Sequence, residues 1–249
     1  MLMAGKKRII ILGVINVVLY VGFVTLDILG AKGVSVTDIS PSNEMKYATI
    51  VSCLLITIFS YFLGKRNSVS AERLRAAHVQ SIVFGITLVA DFFLLFTDYF
   101  VIGVIVFLFA HSVALYRYNP GWVPFLASIS GALCIASLVI MGFYHSDKEL
   151  LYFALLCSAY AVLIIGVFVS TFHTEQPRIN TLLSRIGMIL FIGCDINVFL
   201  SNFLHASSVF FGPALILMWV FYLPAQTLLA LSVVSFSKDK LSGSPKPGT

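Results

Sequence analysis

Gly85–Tyr116 reads GITLVADFFLLFTDYFVIGVIVFLFAHSVALY. It is an almost unbroken apolar run, interrupted by one acid, Asp91, and by a short polar turn at Thr97-Asp98. Extended back to His78, the part before the turn approaches the ~20 residues that a helix needs to cross ~30 Å of hydrocarbon, and Tyr99–Tyr116 does the same on the other side. Continuous apolar sequence selects helices; a membrane barrel would alternate apolar and polar residues. The stretch is therefore a hairpin of two membrane-spanning helices.

The same pattern extends in both directions. Spans are predicted at Ile9–Leu29, Tyr47–Leu63, His78–Phe96, Tyr99–Tyr116, Gly121–Tyr144, Leu150–Thr171, Ile186–Phe203 and Phe210–Val234. The uncharged stretch after Asp195 is too long for one helix, and Ser201-Asn202 through Ser208, followed by Gly212-Pro213, supplies the break. The expected fold is all-α and polytopic, with eight transmembrane helices in a domain spanning 1–234. The Pro/Gly/Ser-rich tail 235–249 is expected to be disordered.

Composition agrees. Hydrophobic residues make up 59% of the chain, charged ones 11%, and the mean hydropathy is +0.99. A soluble domain carries about 25% charged residues, so the lipid bilayer has to act as solvent for most of this surface. The net charge of +5 does not indicate nucleic acid, because the basic residues are scattered over short loops and tails and form no patch. Cys53, Cys134, Cys157 and Cys194 all lie in apolar runs without CxxC or Cys/His spacing, which argues against a metal site or a disulfide framework. Lys6-Lys7-Arg8 precede an apolar run long enough to span, without an A-x-A site after it, so that run reads as a first helix and not as a cleaved signal.

With the N-terminus inside, 13 of the 16 Lys and Arg fall on inner segments and only Lys32, Lys46 and Lys148 on outer ones. The positive-inside rule then places both termini in the cytoplasm. An integral, multi-pass protein of a bacterial plasma membrane or the endoplasmic reticulum is expected. An internal echo, DFFLLFTDYF at Asp91–Phe100 against DINVFLSNFL at Asp195–Leu204, lies four spans apart and implies a 4+4 parallel repeat.

Asp91 and Asp195 stand out chemically. Asp27 and Asp98 sit at span ends, but these two lie inside spans, each seven residues before the expected outer end of its helix, or about 10 Å deep at ~1.5 Å per residue. A central Asp costs about 2.5–3.5 kcal/mol on insertion, so such residues face a polar interior and usually serve a function. Thr87 shares a face with Asp91, and Asn202 follows Asp195 by two turns. His111 lies inside span four. Tyr222 and Gln226, spaced i,i+4, share a face of span eight and with Asn197 are candidate cavity-lining groups. Packing roles through interhelical hydrogen bonds are the alternative for each. Two carboxyl groups withdrawn from water suit acid–base work, one donating a proton while the other activates water. A transporter's proton relay uses the same physics.

The Gly85–Tyr116 block, together with RIGMILFIGCDINVFL (Arg185–Leu200) and MWVFYLPAQTLLALS (Met218–Ser232), resembles the lysoplasmalogenase-like YhhN family in order and spacing. The chain departs from the family pattern at Ala90 (usually Gly), at Cys194 (usually Ser) and at Tyr47 after Lys46 (usually Pro). The resemblance implies hydrolysis of the vinyl ether bond of a lysophospholipid substrate, a lysoplasmalogen, to a fatty aldehyde and a glycerophospho-headgroup, with neither metal nor other cofactor. It implies Asp91 and Asp195 as the catalytic pair, comparable to the two carboxylates of a glycosidase. His111, Asn197, Tyr222 and Gln226 would bind or orient substrate. Lys46 would meet a phosphate at the membrane surface or simply anchor topology. A proton-coupled transporter or lipid-handling protein using the same acids is the second reading, weakened by the lack of mid-span Gly/Pro breaks at matching positions of the two halves. A receptor or scaffold is the third; short loops leave it little surface for partners.

Overall fold

The computed structural model describes residues 2–31, 41–143, 149–174, 176–203 and 209–235. Among them are eight α-helices: α1 (Leu2–Ala31), α2 (Ser42–Arg66), α3 (Ala71–Phe96), α4 (Phe100–Tyr118), α5 (Val123–Phe143), α6 (Glu149–Ser170), α7 (Arg178–Phe203) and α8 (Phe211–Leu231). A single 3-10 turn, Pro120–Trp122, leads into α5. All eight are long and apolar enough to cross a membrane, as the sequence predicts. Lys32, Lys148 and the tail from 236 onward lie outside the described residues.

Several helices begin a turn or two before their apolar run. Ser42 opens α2, ahead of Tyr47, and Arg178 opens α7, ahead of Ile186. Hydropathy marks where side chains leave the hydrocarbon, whereas the i→i−4 ladder continues until a cap or turn interrupts it. The break before α8 also differs from expectation. Gly212-Pro213 belongs to the first turn of α8, where a missing N–H costs nothing. The proline that interrupts a ladder is Pro224, inside the same helix. It leaves the carbonyl of Val220 without its usual donor, and the Tyr20 hydroxyl of α1 donates to that oxygen at 3.2 Å.

Consecutive helices pack as hairpins, α1 with α2, α3 with α4, α5 with α6 and α7 with α8; α2 also packs on α3 and α8, and α4 on α6. Lipid tails are as apolar as leucine, so helix association relies on close fit and hydrogen bonds. Two glycines show the fit. A Cβ at Gly103 of α4 would stand 2.6 Å from Leu94 and 3.3 Å from the Ala90 carbonyl of α3, and one at Gly187 of α7 would stand 3.0 Å from Leu229 and 3.2 Å from the Ala225 carbonyl of α8. The outward face of α1 (Ile10, Ile11, Val14, Val17, Val18) stays exposed, as a lipid-facing stripe should.

Arg117, counted among the loop charges in the topology argument, is buried at the C-terminal end of α4. Its guanidinium donates to Gln80 Oε1 at 2.6 Å, Ser232 Oγ at 2.9 Å and Gln176 Oε1 at 3.3 Å, with the Tyr118 ring at 4.6 Å. Asn180 donates to the carbonyls of Ser232 and Val234. This polar layer ties α3, α4, α7 and the segment after α8 together at the end remote from the α3–α4 turn.

Candidate functional site

Within the half of the bundle nearer the α3–α4 turn lies a cavity of ≈ 690 Å³ between α3, α4, α6, α7 and α8. The volume falls within the range of about 300–1,000 Å³ typical of small-molecule sites. Its walls are largely apolar, with Leu94, Val104, Phe107, Ile164, Phe191 and Met218 among them. Asp91 and Asp195 both line it. Counted from the helix ends, Asp91 lies five residues before Phe96 and Asp195 eight before Phe203, or about 7 Å and about 12 Å deep at 1.5 Å per residue. The acids thus straddle the equal depth expected of them.

Their partners differ. Tyr222 of α8 donates to the Asp91 carboxylate and stands 2.9 and 2.7 Å from its two oxygens. Asp195 shares the cavity wall with Tyr160 of α6, the phenol nearest in role to its carboxyl. Tyr160 in turn lies 3.1 Å from His111 Nε2 of α4. The second oxygen of Asp195, Oδ2, is buried without a hydrogen-bond partner. A buried carboxyl oxygen left unpaired is costly unless something else uses it, and here it belongs to a cavity-lining residue. The aromatic rings hold the frame. Phe107 stacks on His111 at 6.0 Å and meets Tyr160 and Tyr222 edge-on at 6.3 Å, and Phe191 meets His111 at 5.1 Å and Tyr222 at 5.6 Å.

The other predicted residues divide. Tyr222 lines the cavity, and His111 reaches it through Tyr160. Asn202, the penultimate residue of α7, also lines it. Asn197 turns back on its own helix and donates to the Gly193 carbonyl at 2.7 Å. Gln226 is buried outside the lining. Lys46 is buried too. Its ammonium pairs with Asp27 at 2.9 Å, which also accepts from Ser42, and sits over Trp219 at 4.7 Å and Phe23 at 5.5 Å. Asp27, expected at the water boundary, is spent on that pair. Lys46 still touches the site indirectly, since Trp219 is part of the cavity wall.

Tyr160 was not among the residues singled out from the sequence. The signal was present, because a phenol deep in an otherwise apolar span must find a partner for its hydroxyl. Among the described residues, no group of three or more His, Cys, Asp or Glu is arranged to hold a metal ion, and the four cysteines are unpaired.

Two acids on separate helices facing one apolar cavity, backed by a Tyr of the last helix, reproduce the ordered blocks of the sequence in three dimensions. Residues 45–233 match the YhhN family. The chain belongs to that family. YhhN proteins are lysoplasmalogenase-like membrane proteins, and the match takes in every helix that lines the cavity. No curated protein and no solved structure matches the chain.

Proposed function

We propose that this YhhN protein is a membrane-embedded hydrolase that cleaves the vinyl ether bond of lysoplasmalogens. The observation that carries the reading is that Asp91 and Asp195 line one apolar cavity, the second with a buried carboxyl oxygen, Oδ2, that has no hydrogen-bond partner. A vinyl ether hydrolyses when the carbon β to its oxygen takes a proton. The positive charge then spreads over the α carbon and the oxygen as an oxocarbenium ion. Water adds at the α carbon, and the hemiacetal collapses to a fatty aldehyde and the glycerol hydroxyl of the headgroup. One water is consumed: the proton that water gives up on adding passes to the departing glycerol oxygen as the hemiacetal collapses, and the hemiacetal hydroxyl proton restores the one delivered at the start.

The two acids fit the two tasks. Asp195 lines the cavity, and a proton on its carboxyl satisfies a group whose Oδ2 is buried without a hydrogen-bond partner. It is the proton donor. Asp91, with the Tyr222 phenol donating to it, is held as a carboxylate acceptor; it stabilises the cation and takes the proton of the attacking water. Tyr160 carries one proton, so when it donates to Asp195 the neutral His111 offers an Nε2–H to the phenol oxygen. His111 and Tyr160 are thereby positioning residues. The apolar walls leave few competitors for the charge that develops, and fixed charges act strongly in such surroundings.

The 4+4 parallel repeat is part of the same reading. The helix neighbours support it, since exchanging each helix with the one four later turns α1–α2 into α5–α6, α3–α4 into α7–α8, and α2–α8 into α6–α4, all of which are packed pairs. His111 and Tyr222 also stand at the same step of α4 and α8, counted from Phe100 and Phe211. Both termini on the cytoplasmic side, with the cavity in the opposite half, completes the topology that the Lys and Arg distribution favours.

The test is aldehyde release from an alkenyl-lysophospholipid by the purified protein. Asp91→Asn and Asp195→Asn should each abolish it with the thermal midpoint kept within a few degrees of the parent. Turnover in deuterium oxide, trapped at once as the alcohol, should place one deuterium on the carbon next to the former carbonyl. Full activity in either variant removes that acid from the mechanism, and an unlabelled product removes carbon protonation.

A further inference from the structure

The cavity has an unequal rim. Most of its lining is shielded, but on α6 the residues Ser158, Ala161 and Ile165 both line the cavity and stay exposed, and on α7 Ile196 and Phe199 do the same, as do Asn202 at the end of that helix and Leu215 on α8. Ile165 keeps 56% of its surface and Ile196 55%. On α6 these positions are spaced i, i+3, i+7, and on α7 i, i+3, so each set forms one stripe along its helix. The stripes border the seam where α6 meets α7. That seam is far sparser than the one between α2 and α3, which occupies the corresponding place in the other half of the bundle. One side of the protein is sealed and the other is split.

We propose that the cavity opens sideways into the bilayer through the cleft between α6 and α7, and that a single-chain phospholipid slides in and out along it. The lining itself favours this occupant. Its charged side chains are Asp91 and Asp195, without a Lys or Arg among the lining residues, so a phosphate carried past both acids would meet carboxylates and no cation. A headgroup that remains at the membrane boundary, beside Ser201 and Asn202 near the end of α7, avoids that encounter. The bond nearest the headgroup then hangs at the depth of the acids, and the hydrocarbon chain lies along Ile165, Ile196 and Phe199, half in the protein and half in lipid. A chain that never leaves hydrocarbon loses none of its burial, whereas a passage through water would forfeit it. The proposal rests on the hydrolase reading for the identity of the lipid; the path is independent of chemistry.

The experiment uses the full-length protein in lipid nanodiscs with a lysophosphatidylcholine that carries a diazirine midway along its chain. Irradiation should attach it to peptides containing Phe107 and Tyr222, both of which are only 5% exposed and line the cavity, and an excess of unlabelled lysophosphatidylcholine should compete. Ala161→Trp and, separately, Ser158→Trp fill the cleft from an exposed position and should lower that competable labelling about tenfold, equivalent to ~1.4 kcal/mol of lost occupancy. Val17→Trp, on the lipid face of α1, should leave it unchanged. No competable label on these interior peptides, or undiminished label in both cleft variants, overturns the proposal. Aldehyde release is read in parallel. Normal labelling without aldehyde from the parent protein defeats the hydrolase reading and leaves the path standing. Aldehyde release that both tryptophans leave intact defeats the path and leaves the hydrolase standing.

Discussion

Replacing Tyr222 by Phe removes one oxygen and one hydrogen bond and little else. The ring keeps its neighbours, with Trp219, Phe191 and Phe107 at centroid distances of 5.5, 5.6 and 6.3 Å. What disappears is the phenol proton shared between the Asp91 oxygens at 2.7 and 2.9 Å. A hydrogen bond to a charged group contributes about 1.5–3 kcal/mol. If that bond orients and holds the carboxylate that receives the proton of water, its loss appears in kcat. At 1.36 kcal/mol per decade the fall is about 10–150-fold. KM should move little, because the phenol addresses the acid and not the lipid chain. The assay is initial-rate aldehyde release in detergent–lipid micelles for four proteins: the parent, Tyr222→Phe, Asp91→Asn and the double variant. Residues that share one hydrogen bond are coupled, so the double variant should be scarcely worse than Asp91→Asn alone, with an interaction energy in the range of about 0.5–3 kcal/mol. Two results would refute the reasoning: Tyr222→Phe turning over like the parent, or a double variant whose loss is the product of the two single losses.

Tyr160→Phe severs His111 from Asp195 while retaining the ring that meets Phe107 and His111. Turnover should fall about tenfold or more, and adding His111→Gln should then cost little extra; a further multiplicative loss in the pair would show that His111 acts by another route. Gly187→Val places carbon 3.0 Å from Leu229 and 3.2 Å from the Ala225 carbonyl, and overpacking of this kind costs about 1–3 kcal/mol. Its thermal midpoint should drop in nanodiscs, whereas Gly13→Val, with nothing within 4 Å, should melt like the parent. Equal melting of the two variants would mean that α7 and α8 are not held as closely as Gly187 implies.

The span count and the rough depth of the two acids are local properties, and the sequence alone determined them. Each helix is defined by a run of residues that must avoid water, and an Asp inside such a run is visible wherever the helix eventually packs. Helix ends were less legible, since α2 and α7 run on past the apolar boundary and α8 contains the Gly212-Pro213 pair assigned to the break. Facing was legible only where a polar residue such as Asp91 or Asp195 marked it. A soluble helix advertises its buried side through the contrast between polar and apolar stripes. Here lipid and protein interior are both apolar, so α6 and α8 look much the same from every direction. Only tertiary packing could bring Tyr222 to Asp91 across 131 residues and His111 to Tyr160 across 49, turn Asn197 back onto its own helix, and give Lys46 to Asp27. The same packing left α6 and α7 parted, an outcome set by which surfaces fit and written in no single segment of the chain.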